Sequence, residues 1–260
     1  MARLPSLFVS HGSPMLAIQE SPAHHFLKNL GATLPTPSAI LVASAHWESM
    51  GGPAVSVTAK PETIHDFGGF PQALFDIQYP AAGAPQLAAR AVELLKQGGF
   101  PVGVSTSRGL DHGAWVPLRL IYPQADIPVF QVSVVRGATP ADHFRIGQAL
   151  QALRDENVLI LGSGSLTHNL YEFRGQHIDS AVPAWVSEFD IWMKKCLEEN
   201  DVDVLLNYRS LAPYASRNHP SEEHLLPLFV ALGAGGAGNV RHLHSSYEYG
   251  ILAMDMFAFD

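Results

Sequence analysis

Six of the thirteen histidines in this 260-residue chain stand where the chain turns rather than where it packs: His11, His46, His65, His112, His168 and His224. Imidazole ligates divalent metals and exchanges protons near neutral pH, so a convergence of such residues would be chemically potent. His11 follows Leu7-Phe8-Val9-Ser10 and precedes Gly12-Ser13-Pro14, and His46 follows Ile40–Ala45 and precedes Trp47. His168 closes the segment that begins with Val158-Leu159-Ile160-Leu161-Gly162-Ser163-Gly164, and His224 opens Leu225-Leu226-Pro227-Leu228-Phe229-Val230. A single histidine is more often a hydrogen-bonded core or surface residue than a ligand. His24, His25, His143, His177, His219, His242 and His244 are read that way. The case for the other six is joint: three strand ends and one helix start can meet at one point. Their spacing matches no local motif such as H-E-x-x-H, so the residues alone leave a metal site and scattered histidines both open.

The elements that would position them can be read from hydrophobic pattern. Short apolar runs at 7–10, 40–45, 54–58, 128–134 and 158–162 read as strands. Pro85 to Gln97, Asp142 to Arg154, Pro183 to Glu199 and Glu222 to Leu232 read as helices, the last with Ser221 as its N-cap. Strands that are apolar throughout and separated by helices predict a single α/β domain over 1–260. Its central sheet would be mostly parallel with helices on both faces. Ligands of such sheets gather outside the carboxyl ends of the strands, which is where His11 and His46 fall. Pro61 to Ala82 and Tyr208 to Pro220 read as long loops of the kind that are functional or disordered; the first, too aromatic for disorder, reads as a lid or pocket wall.

Bulk chemistry narrows the classes. A formal net charge of −8 argues against nucleic acid and anionic membranes as partners. The one cysteine, Cys196, rules out an internal disulfide, fits a cytoplasmic setting and lies in a helical pattern that suggests packing. No apolar stretch is long enough to span a bilayer, and no signal-peptide profile opens the chain. Gly162-Ser163-Gly164-Ser165 lacks the G-x-S-x-G of a nucleophile elbow, and neither a P-loop nor G-x-G-x-x-G is present.

Five ordered motifs add a resemblance. Val9-Ser10-His11-Gly12-Ser13-Pro14, Ser44-Ala45-His46-Trp47, Thr63-Ile64-His65-Asp66-Phe67-Gly68-Gly69-Phe70-Pro71, Leu110-Asp111-His112-Gly113-Ala114-Trp115 and Glu223-His224-Leu225-Leu226-Pro227-Leu228 span nearly the whole chain. Together they resemble the DOPA 4,5-dioxygenase-like family, class III extradiol ring-cleaving dioxygenases related to the catalytic subunit of protocatechuate 4,5-dioxygenase. The resemblance implies one divalent non-haem metal, Fe(II) for dioxygenase activity and zinc in isolated protein, with a catechol and O2 as small-molecule partners. It implies that His11, His46 and His224 are metal ligands, His224 standing where the protocatechuate enzyme has a glutamate. His168 resembles the catalytic acid/base, and is also a candidate fourth ligand; His112 resembles a histidine near the bound oxygen. His65, Asp66, Phe67 and Trp115 are expected to line the substrate pocket, and Arg108 is a candidate anchor for a carboxylate-bearing substrate.

Replacing a carboxylate ligand by imidazole leaves a more cationic metal, closer to a zinc hydrolase site. Two other readings therefore stand beside ring cleavage: zinc-dependent hydrolysis by a metal-activated water, and a non-catalytic metal-binding scaffold of the same fold. The sequence names neither the catechol nor the oligomeric state.

Overall fold

The computed structural model describes residues 3–236 and 238–260. Among the described residues, ten strands follow one another as β1 (Ser6–Ser10), β2 (Ala39–Ser49), β3 (Ala54–Ser56), β4 (Gly103–Ser105), β5 (Val129–Val135), β6 (Val158–Gly164), β7 (Val240–His244), β8 (Tyr247–Glu248), β9 (Leu252–Ala253) and β10 (Met256–Phe259). All but β8 and β9 join one sheet in the order β4-β3-β5-β2-β6-β1-β10-β7. Its centre, β5-β2-β6-β1, is parallel throughout; β3 meets β5, and β10 meets β1 and β7, in the antiparallel sense. Four carboxyl ends therefore share one edge of the sheet.

The helices are α1 (Pro22–Leu30), α2 (Gln72–Phe75), α3 (Pro85–Gln97), α4 (His112–Ile121), α5 (Pro140–Leu150), α6 (Ala184–Glu198), α7 (Val202–Leu206), α8 (Tyr208–Leu211), α9 (Ala215–Asn218) and α10 (Leu226–Gly235). Successive strand residues point to opposite faces, and here both faces are covered. Ile40, Val42, Leu159 and Leu161 pack with Leu27 of α1 and Trp115 and Leu118 of α4. Their neighbours Leu41, Ala43 and Ile160 pack on the other side with Leu95 of α3, Leu150 of α5 and Val230 of α10. Each such buried aliphatic side chain stabilises the fold by about 1.5–3 kcal/mol. This two-sided burial is why the strands read as unbroken apolar runs. Among the described residues, no helix is long and apolar enough to cross a membrane.

Some boundaries differ from the sequence expectation. The last long helix begins at Leu226, four residues later than predicted, with Leu225 rather than Ser221 at its cap. A start at Glu222 would have put Pro227 in the helix interior, where it lacks a donor; the later start places it in the first turn. Thr139 and Asp142 cap α5 reciprocally, so that helix starts at Pro140, and the chain beyond Leu150 tightens into a 3-10 segment over Gln151–Glu156. The two long loops carry short helices, α2 in the first and α8 and α9 in the second.

Candidate metal centre and active site

Each of three histidines reaches the carboxyl edge of the sheet by a different local device. His11 is the residue after β1, and its amide donates to Gly164 O at 2.9 Å. Gly12 then turns the chain with φ +59°, a conformation that favours glycine. His46 lies in β2 where the pairing with β5 jumps from Ser44↔Ser133 to Glu48↔Val134. The residues between them leave the ladder, which is how a bulge re-aims a side chain. His224 lies in the turn leading into α10, and its carbonyl accepts from Ser165 N at 2.8 Å.

The three rings converge. His46 Nε2 is 3.0 Å from His11 Nε2 and 3.3 Å from His224 Nε2. Three nitrogens bound to one ion at about 2.0–2.1 Å stand roughly 2.8–3.4 Å apart for bond angles between square and tetrahedral. Such a separation is unfavourable for lone pairs facing each other and suits a shared cation.

Hydrogen bonding fixes which nitrogen carries the proton in two of the rings. Ser163 Oγ gives its only hydrogen to Gly113 O and so can only accept from His11 Nδ1, 3.0 Å away. His224 Nδ1 lies 2.9 Å from the carboxylate oxygen Glu223 Oε1, which likewise accepts. Both rings therefore present an unprotonated Nε2 to the point of convergence, as a metal ligand must. Burial, reinforced by the neighbouring imidazoles, holds His11 and His224 well below the ordinary histidine value, and burial with His112 lowers His46 to about 4. At neutral pH the donor set is three neutral imidazoles, which fits a divalent metal.

Asp66 braces the opposite side. Its Oδ1 accepts from His112 N at 2.9 Å, and its Oδ2 lies 3.0 Å from His112 Nδ1 and 3.5 Å from His46 Nδ1. The Oδ2 contact with His112 Nδ1 is off the line of a good hydrogen bond, so the firm tie is the backbone one. Asp66 is held down at about 2 by His112 and His46 against the opposing effect of burial, and stays ionised. The His112 ring stands 3.9 Å from that of His46, centre to centre. One residue upstream, Asp111 caps α4, accepts from Ser44 Oγ at 2.6 Å and pairs with Arg108 at 2.6 Å.

His168 meets the centre differently. Its ring stacks on His224 at 3.5 Å, nearly parallel, and it groups with Glu223 and His224 rather than with the three converging nitrogens. Burial lowers it to about 4 against the pull of Glu223, so at neutral pH it is a proton acceptor.

These residues open onto a cavity of about 360 Å³ with Pro14, Phe67, Phe70, Leu170, Phe173 and Leu252 as apolar walls. That space suits one small aromatic ring. Asp66, Phe67 and Phe70 reach the cavity. His65 and Trp115, expected at the wall, stand one layer behind it: His65 Nε2 bonds to Ile77 O at 3.0 Å, and the buried Trp115 donates Nε1–H to Ile64 O at 2.9 Å. Both hold the 63–77 loop by its carbonyls. Tyr79 is likewise a core residue, its hydroxyl on Tyr122 O. Arg108 is committed to Asp111 and to His46 O, over the Trp47 ring, and does not face the cavity. Sequence reasoning did not single out Ser163 or Glu223. Glu223 had a visible signal, adjacency to His224; Ser163 had none, because its partner lies 152 positions away.

Residues 5–256 match the family described as the catalytic LigB subunit of aromatic ring-opening dioxygenase. The chain is 42% identical to a 4,5-DOPA dioxygenase extradiol of Beta vulgaris over 98% of this chain and 96% of that protein. It is also 42% identical to the 4,5-DOPA dioxygenase extradiol of Escherichia coli K12, over 89% and 85% respectively. A crystal structure of an uncharacterized Escherichia coli K12 protein superposes with a TM-score of 0.83 at 34% identity, covering 99% of this chain and all of that one. These relatives favour ring cleavage over the hydrolase and scaffold readings. The chain belongs to the LigB family, the metal-dependent extradiol dioxygenases that open aromatic rings.

Proposed function

We propose that the chain works as one catalytic domain, residues 1–260, that cleaves a small catechol with Fe(II) held by His11, His46 and His224. The observation that carries this assignment is the convergence of three Nε2 atoms at 3.0 and 3.3 Å, with the Nδ1 protons of His11 and His224 already committed elsewhere. Bound there, Fe(II) supplies the centre at which catecholate and O2 meet and exchange electrons. Zinc would take the same three nitrogens in protein isolated without iron.

The chain's own residues do the rest. Phe67 and Phe70 face the ring of the substrate, and their apolar surface excludes water from it. Neutral His168, stacked on His224 and open to the cavity, takes a hydroxyl proton from the incoming catechol at a ring nitrogen. His112, placed by the Asp66 carboxylate, donates toward oxygen charge as it develops. His168 acts as base rather than fourth ligand, because its stacked ring is turned along His224 and not toward the other two imidazoles. The single buried cysteine fits the cytoplasm as the working compartment.

Oxygen uptake by protein reconstituted anaerobically with Fe(II) tests this reading. Uptake in step with loss of catechol and appearance of a ring-opened chromophore is the expected result, with the zinc-loaded protein silent. Absence of uptake with every catechol tried would overturn it.

A further inference from the structure

We infer that His219 is a positioning residue for the base: its Nε2–H, bonded to Leu166 O, fixes the stretch of backbone on which His168 rides. The inference rests on the base role given to His168 above and deepens it. Beyond Gly164 the chain leaves β6 and reaches His168 without regular structure. Among the described residues the His168 ring has no hydrogen bond of its own, unlike His11 and His224; it has only the stack on His224. Where that ring stands is therefore decided by how its backbone is held.

The short helix α9 and the residue after it hold that backbone at three successive points. His219 Nε2 lies 2.9 Å from Leu166 O, His168 N donates to Asn218 O at 3.0 Å, and Asn169 Nδ2 donates to Arg217 O at 2.6 Å. A carbonyl only accepts, so His219 carries its proton on Nε2. Its other nitrogen, Nδ1, is buried without a partner among the described residues. The ring is fully buried against Phe189 and Tyr208, with ring centres 5.6 and 6.4 Å away. Burial lowers it to about 3, so the donor is a neutral imidazole at neutral pH. Such surroundings would take a phenyl ring without orphaning a nitrogen. What the imidazole adds is the bond to Leu166 O, two residues from the base. From elsewhere in the fold, Thr167 Oγ1 donates to Ile251 O at 2.8 Å and accepts from Ala253 N at 2.7 Å, which completes the grip on the same run.

The test compares His219→Phe, which keeps the size and loses the donor, with His219→Gln, whose amide can still donate to Leu166 O. Each is made alone and combined with His168→Ala. Metal per chain, Kd for 4-nitrocatechol on the zinc-loaded protein, and oxygen uptake by the Fe(II)-loaded protein with 4-methylcatechol and dihydroxyphenylalanine are measured on all. His219→Phe is expected to keep metal and Kd, to lower kcat about 10- to 100-fold, and to add no further loss to His168→Ala. His219→Gln is expected to retain most of the turnover. His219→Met takes the place of His219→Phe if the latter does not fold. Unchanged kcat in the apolar variant, a loss shared by His219→Gln, a full further loss on top of His168→Ala, loss of the metal, or failure of both apolar variants to fold would each overturn the inference. If His168→Ala turns over like the wild type, or neither catechol is cleaved, the base or ring-cleavage reading itself falls, and the inference with it.

Discussion

At the scale of the residue, the centre depends on which nitrogen of each imidazole carries the proton. Ser163 sets this for His11 by passing its own hydrogen to Gly113 O, which leaves its lone pairs for the His11 Nδ1–H. Ser163→Ala removes that acceptor, and the ring can then flip tautomer or rotate. Metal affinity should fall 10–100-fold, the usual cost of losing an outer partner of a ligating histidine, as read by competition with a chelating dye. An unchanged affinity would mean that the ring is held by packing alone. The histidines themselves were legible in the sequence because each follows or precedes an apolar run whose role is plain. Ser163 and the His46–His112 contact were not, because they arise only when β6, β2 and α4 come together. Trp115 and His65 were misplaced by one layer for a related reason: an aromatic residue in a pocket segment looks the same whether it faces the ligand or holds the loop.

Elements position these residues through close approaches that a side chain would forbid. Gly164 lies at the end of β6, where an added Cβ would stand 2.1 Å from His224 O, the carbonyl that Ser165 N binds. Gly113 in α4 faces Ser44 Oγ at 2.5 Å and His46 Cδ2 at 3.0 Å in the same sense. Gly164→Ala must push the His224 turn away from the sheet. It should lower stability by about 1–3 kcal/mol and weaken metal binding together, measured by thermal melts and metal titration. Thr139→Ala, at the cap of α5 on the covered face of the sheet, serves as the contrast. It should cost about 1 kcal/mol in a denaturant melt and leave metal affinity unchanged. Strand positions and the α3 helix were readable from apolar periodicity, since burial on both faces imposes it. The start of α10 was not, because the pattern continues through the turn that carries His224 and only Pro227 marks the boundary.

Across the whole molecule, the far edge of the sheet carries a second charged cluster that serves stability. His242 on β7 bonds Asp255 Oδ1 at 2.7 Å, and Lys194 of α6 bridges Asp190 at 2.7 Å and Asp255 at 3.5 Å. The hydrogen bond to Asp255 raises the His242 pKa above its ordinary 6.5, against burial. The folded state therefore favours the proton. The contribution is complete below pH 6.5 and fades as pH climbs through the raised folded value. His242→Gln should lower the melting temperature more at pH 5.5 than at pH 9; an equal loss at both would exclude a charged pair. The parallel centre of the sheet, by contrast, positions the histidines: it brings the carboxyl ends of β1, β2 and β6 to one edge, and the turn before α10 adds His224 there. There we propose a division of labour, in which three histidines hold the metal and His168 acts on what binds beside it. Metal content and oxygen uptake measured in parallel on His46→Ala and His168→Ala test it most directly. His46→Ala should lose the metal, whereas His168→Ala should keep one metal per chain and lose turnover; equal loss of metal in both would contradict the division.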